Sequence, residues 1–151
     1  MKKLVITLLA AFVLISTLHA QVQDPVKWNY SAVKKADKEY AVTISASISP
    51  NWHIYSMNTP DGGPVATTFN FNRNPLITLA GKTQENGKPQ TIFDDIFGVD
   101  VKYYSELVTF VQTIKLKSAV KTNLSGTVKY MVCNDKMCLP PKTVPFNIQL
   151  Q

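Results

Sequence analysis

Cysteine is nearly absent, with two among 151 residues. That excludes a mini-scaffold held together by disulfides, which needs several bridges. Charge is sparse too: 17% of residues are Asp, Glu, Lys or Arg, against about 25% in an average soluble domain. Hydrophobic content is an ordinary 45%, so neither disorder nor a collagen-like composition fits. Beyond residue 20 no stretch keeps a helical period over three turns, and no apolar run is long enough to cross a bilayer. There is no internal repeat, low-complexity tract or domain boundary. The chain is one domain long, which excludes a multidomain enzyme. Its lysines are scattered (Lys27, Lys34, Lys82, Lys102, Lys129) rather than clustered among aromatics, so a nucleic-acid partner is not expected.

What is present begins with a leader. Lys2 and Lys3 precede an apolar run from Leu4 to Ile15, and Ser16, Thr17, Leu18, His19 and Ala20 follow. This order of a basic start, an apolar stretch and small residues reads as a secretory signal peptide over residues 1–20, cut before Gln21. The run is too short for a membrane anchor, which needs about 20 residues. No membrane insertion is expected after cleavage. Losing Lys2 and Lys3 lowers the formal charge from +6 to +4 and, with His19 gone, leaves His53 as the lone histidine of residues 21–151. A domain of that size buries roughly two thirds of its unfolded surface, enough for its own core.

Period two dominates the rest. Tyr40, Val42, Ile44, Ala46 and Ile48 alternate with small or polar residues, as do Val108, Phe110, Gln112, Ile114 and Leu116. Leu124 to Cys133 and Val144, Phe146 and Ile148 continue the pattern, which is that of half-buried strands. Shorter candidates are Val26–Ala32, Trp52–Ser56, Thr67–Phe71, Leu76–Gly81 and Val99–Tyr104. Turn-forming clusters separate them, at 49–51, 59–64, 72–75 and 84–89. Short strands at this spacing predict an all-β protein, an immunoglobulin-like β-sandwich. The antibody-type signature of two distant cysteines flanking a tryptophan is missing.

One segment carries chemistry: Cys133-Asn134-Asp135-Lys136-Met137-Cys138. In an exported chain, two cysteines this close are expected to bridge. If they face each other across a hairpin loop, their Cβ atoms would lie about 4.5–5.5 Å apart, beyond the ~3.8 Å of a relaxed disulfide. A loop of six residues also constrains the unfolded chain by only about 2 kcal/mol. The bridge is poorly placed as a staple. Parity puts Cys133 with Lys129 and Met131, away from the core face of Val128, Tyr130 and Val132, and so within reach of a partner. Met131 and Met137 flank the pair as docking surface or as gap-fillers. A thioredoxin-type site would need Cys-x-x-Cys at a helix start, which Leu139-Pro140-Pro141 forbids. Zinc would need more ligands than two cysteines and His53 at unsupported spacing. A Cys–His hydrolase would need an oriented dyad, for which a histidine 80 residues away is no evidence. These residues alone leave open a redox-active pair or a structural hairpin bridge in a binding module.

The run Tyr130 to Pro141, with its cysteine pair and double proline, resembles the redox segment of the N-terminal periplasmic domain of the thiol:disulfide interchange protein DsbD. Asn51-Trp52-His53-Ile54-Tyr55 is similar to that family's aromatic strand, and Asp94-Asp95-Ile96-Phe97-Gly98 to its cap loop. The resemblance implies an immunoglobulin-like domain that takes electrons from a thioredoxin-like donor and passes them to a periplasmic disulfide isomerase or other thiol oxidoreductase, in routes that include cytochrome c biogenesis. It implies no dissociable cofactor beyond the Cys133–Cys138 disulfide. It also implies that Cys138 joins partners in a mixed disulfide and Cys133 resolves it. The cap, through Ile96 or Phe97, would shield the pair, while Tyr55, Asp94 and Asp95 line it and tune thiol protonation. His53 stands where better-known members carry tyrosine, as a proton donor or as a plain strand residue. The sequence carries neither a membrane domain nor a thioredoxin domain, so electrons are expected from a separate, possibly membrane-embedded, protein.

Overall fold

A computed structural model describes residues 24–95 and 97–150, and the leader and Ile96 fall outside the described residues. The elements are strands: β1 (Val26–Ala36), β2 (Glu39–Ile48), β3 (His53–Tyr55), β4 (Thr68–Phe71), β5 (Ile77–Gly87), β6 (Gln90–Asp94), β7 (Val99–Tyr104), β8 (Leu107–Leu116), β9 (Thr122–Tyr130), β10 (Val132–Cys133) and β11 (Lys142–Leu150). All pair antiparallel, in three sheets ordered β1-β2-β8-β5, β11-β9-β4 and β10-β3-β7-β6.

The first two sheets form the sandwich. Alternate residues of β2 and β8, such as Val42, Ile44, Phe110 and Ile114, meet Leu124, Val128, Phe146 and Ile148 from β9 and β11 in one core. Aromatic rings bridge the layers. Trp28 meets Tyr130 edge-on at 5.2 Å and Phe110 at a tilt at 6.1 Å, and Phe69 lies 4.9 Å from Phe110. These contacts convert a period-two pattern into a packed interior, each buried side chain contributing about 1.5–3 kcal/mol.

Three places differ from the sequence expectation. The strand expected to end at Gly81 continues to Gly87 through a break in register between Ala80 and Gln84. There the buried Gln112 side chain substitutes for the lost ladder. Its Nε2 donates 2.9 Å to the carbonyl of Thr113, and its Oε1 accepts 2.8 Å from Thr83 Oγ1. A bulge of this kind disguises one long strand as a strand plus a loop. The second difference is β6, whose Ile92 and Phe93 are exposed and give no inward signal.

The small sheet positions the site. It continues from the sandwich where the chain breaks at Met131 between β9 and β10, although the alternation there reads as one strand. One face of this sheet, with Ile54, Tyr104 and Val132, points into the main core. The other face carries Tyr55, Val101 and Cys133 with Met131, around which Val65, Phe97, Val99 and Tyr103 pack. Successive side chains of a strand point to opposite faces, and here both faces are covered.

Candidate functional site

Cys133 and Cys138 are joined by a disulfide and face each other as an antiparallel pair, with Cα atoms 4.0 Å apart. That is closer than the roughly 4.5–5.5 Å between opposed Cα atoms of an ordinary antiparallel pair. The chain draws the two residues together. Asn134 builds the turn: its Oδ1 accepts 2.9 Å bonds from the amides of Lys136 and Met137, and its own amide donates 2.9 Å to the carbonyl of Met137. Asparagine favours such turns because its side chain mimics a backbone acceptor.

The return leg resets the register. Two residues, Met131 and Val132, separate Tyr130 from Cys133, whereas three, Leu139 to Pro141, separate Cys138 from Lys142. Leu139 donates 2.9 Å to the Val132 carbonyl. Pro140 and Pro141 have no amide to give, so the ladder lapses there and takes up the extra residue.

The two sulfurs sit in different surroundings. Cys133 is 2% exposed within the small cluster, while Cys138 is exposed. Parity correctly separates Cys133 from the main core, but that face is not open to solvent: a second apolar layer covers it. Cys138 is the exposed residue of the pair. The methionines divide likewise, with Met131 buried as a gap-filler and Met137, 51% exposed, beside Cys138. Pro50, Asn51 and Trp52 face Asn134, Asp135 and Lys136 across a shallow groove next to the bridge.

Part of this layer comes from the turn between β6 and β7. Gly98, at φ 67°, donates 2.7 Å to the Asp94 carbonyl, a conformation natural to glycine. The Phe97 amide donates 3.3 Å to Asp94 Oδ1. Phe97 packs on the cluster that holds Cys133. Ile96, the other candidate, lies outside the described residues. The carboxylate of Asp94 acts on His53 and Tyr55, whereas Asp95 is exposed on the turn.

His53 pairs directly with Cys133 across β3 and β10, which puts both side chains on one face. It is half-buried, with its ring 4.5 Å from that of Tyr103 and its Nε2 3.4 Å from Tyr55 Oη. Burial lowers its pKa from 6.5, against the opposing pull of Asp135 and Asp94. Burial, then Asp94 and Tyr103, pushes Tyr55 up to about 12, so its hydroxyl keeps its proton.

The lowered histidine pKa links to stability. Below 6.5 the unfolded chain binds a proton that the folded chain resists, so stability falls as pH drops from 6.5 toward the lower folded value. His53→Phe should therefore remove part of the drop in Tm between about pH 7 and pH 5, measured by thermal scans of both proteins.

Sequence reading missed Tyr103 and Glu85. Glu85, on β5 beyond the bulge, accepts from Ser56 Oγ, from the Met57 amide at 2.8 Å and from Asn58 Nδ2 at 2.9 Å. It thereby fastens the segment after β3, where Thr67 Oγ1 donates 2.6 Å to the Tyr55 carbonyl. Its position inside an expected turn hid it. Glu85→Ala should cost about 1–3 kcal/mol, since it leaves the buried Ser56 hydroxyl without its acceptor. Urea denaturation reads that loss.

The geometry and the chain's pattern agree with a known family. The family described as "Thiol:disulfide interchange protein DsbD, N-terminal" matches residues 20–150. The chain belongs to the DsbD N-terminal family. Among solved structures, the N-terminal periplasmic domain of ScsB from Proteus mirabilis is 18% identical with a TM-score of 0.59, over 88% of this chain and 49% of that one. The chain thus spans about half the length of that relative. The reduced DsbD N-terminal domain of Neisseria meningitidis is 17% identical, TM-score 0.54, over 84% of this chain and 89% of that one. The same domain in complex with the PilB N-terminal domain is 16% identical, TM-score 0.55, over 84% and 87%. No curated protein matches the chain. The DsbD-type domain here is an immunoglobulin-like β-sandwich. Its family is one of thiol–disulfide exchange domains, and this member carries a cysteine pair. Among the described residues, no group of three His, Cys, Asp or Glu is placed to hold a metal.

Proposed function

We propose that this domain is a periplasmic thiol–disulfide exchange relay. It takes two electrons from a thioredoxin-like donor and passes them to a disulfide isomerase or another periplasmic thiol oxidoreductase. The leader over residues 1–20 directs its export. The observation that carries this reading is the asymmetry of the bridge: Cys138 is exposed, and Cys133 is buried beneath Phe97 and its neighbours.

A donor thiolate reaches only Cys138. It forms a bond to that sulfur, and the Cys133–Cys138 bond breaks with its electron pair going to Cys133. The donor's second thiol then attacks the mixed disulfide and releases Cys138 as a thiolate. The domain is now reduced by two electrons and the donor oxidised. Toward an acceptor disulfide the sequence runs on: Cys138 attacks, one acceptor sulfur leaves, and Cys133 closes on Cys138 to release the other. The PilB N-terminal domain found with a DsbD N-terminal domain supports a protein thiol oxidoreductase as partner.

The test is a stopped exchange with reduced thioredoxin as donor. Stoichiometric reduction of the bridge, two free thiols per chain, is the expected result. A bridge left closed after hours of contact would instead support a binding module held by a structural disulfide.

A further inference from the structure

Exchange through Cys133 poses a problem of proton traffic. Its sulfur changes between thiol, thiolate and disulfide inside a layer that excludes water, and an unpaired buried thiolate is costly. A proton acceptor must therefore lie within that layer or at its rim. Of the groups on this face, Tyr55 keeps its proton, having been pushed up to about 12, Asp95 is exposed on the turn, and Asp94 accepts from the Phe97 amide and pairs with Val99 rather than with Cys133. His53 is the cross-strand neighbour of Cys133 and is half-buried, with one side toward solvent.

We infer that His53 is the proton-transfer partner of Cys133, taking the thiol proton when Cys133 closes the disulfide and returning it when the disulfide opens. This rests on the exchange reading above and deepens it. Tyr103 packs at a tilt against the imidazole and Tyr55 contacts Nε2, which together hold the ring. In the tautomer whose Nε2–H donates to Tyr55 Oη, Nδ1 holds the free lone pair. The groups facing the ring are Tyr55 on its own strand, Cys133 on β10, Tyr103 on β7, Asp94 on β6 and Asp135 in the turn. The two carboxylates favour the imidazolium, and burial opposes it. Burial outweighs them, so the ring is neutral at pH 7 and free to accept a proton, and it titrates below 6.5.

Glutathione disulfide isolates the step. Reduced protein attacks it through Cys138, a first glutathione thiolate leaves, and a mixed disulfide remains. His53 then takes the proton of Cys133, whose thiolate attacks Cys138 Sγ. The second glutathione thiolate leaves, so one disulfide has been exchanged for another with two electrons transferred. The first step depends on glutathione disulfide concentration and the second does not.

The concentration-independent rate, followed by stopped flow between about pH 5 and pH 8, is the readout. In the natural protein it should rise through a histidine titration and level off. In His53→Gln that titration should vanish and the rate near pH 7 should fall about a hundredfold, the lower end of what a positioned base contributes. Asp135→Asn, on an exposed loop, should move the midpoint to lower pH, because its charge favours the imidazolium. Equal rates and pH profiles in the natural protein and His53→Gln would overturn the inference, as would an Asp135→Asn midpoint that stays in place. Failure of the natural protein to form the mixed disulfide at all would instead overturn the exchange reading beneath it.

Discussion

Cys138→Ser should abolish exchange, whereas Cys133→Ser should stop it halfway, with the chain trapped on its partner. The two substitutions are chemically identical, so a difference between them measures the surroundings. Cys138 lies exposed at the end of the turn beside Met137, and Cys133 is 2% exposed. With only Cys133 present, a partner disulfide meets no accessible thiolate, and the rate should drop to background. With only Cys138 present, the first attack proceeds at near the natural rate. The mixed disulfide then persists because the resolving sulfur is gone. Non-reducing gels and intact mass of each variant after mixing with glutathione disulfide read both outcomes. Equal trapping by both variants would mean that the cap does not protect Cys133.

The largest expected effect on stability lies away from the cysteines, at Gly126. This residue sits on β9 between Phe71 of β4 and Phe146 of β11. A methyl group there would overlap the Asn70 carbonyl oxygen and come within 2.7 Å of Phe146 Cζ. The carbonyl belongs to a paired strand and cannot step aside without moving β4. The Phe146 ring is held 5.8 Å from Phe71 in an edge-on contact, so it has little room to turn. Gly126→Ala should therefore cost about 2–3 kcal/mol, toward the upper end of overpacking penalties. A lowered urea midpoint at unchanged slope is the expected signature. Gly62→Ala is the control: it meets nothing within 4 Å and bears only the penalty of its positive φ.

The sandwich was legible because its strands bury one face. Tyr40 to Ile48 and Val108 to Leu116 alternate so regularly that their inward residues are the core. Legibility fails where that condition fails. β6 is an edge strand with exposed side chains, so Ile92 and Phe93 carry no inward pattern. The long β5 is interrupted by a bulge closed by the Gln112 side chain, which no periodicity announces.

The site shows the same limit. Alternation separates Cys133 from Val132, but the apolar cluster that buries Cys133 draws in Phe97 and Val65, which arrive from distant loops. The register reset at Leu139 to Pro141 was not settled by the sequence: two prolines cannot extend a ladder, but they do not say how many residues it skips. The pairing of His53 with Cys133 was not, since it depends on β3 crossing to β10 some 80 residues later. Glu85 was hidden for a similar reason, as its partners Ser56, Met57 and Asn58 come from another strand's end.

The central claim is that the Cys133–Cys138 bridge trades electrons rather than locking a turn. Its reduction potential, from equilibration of the purified protein with glutathione or dithiothreitol buffers, tests this most directly. The account predicts a value within the span of exchange proteins, roughly −120 to −270 mV. A value below about −300 mV, typical of structural disulfides that resist the glutathione pool, would contradict it.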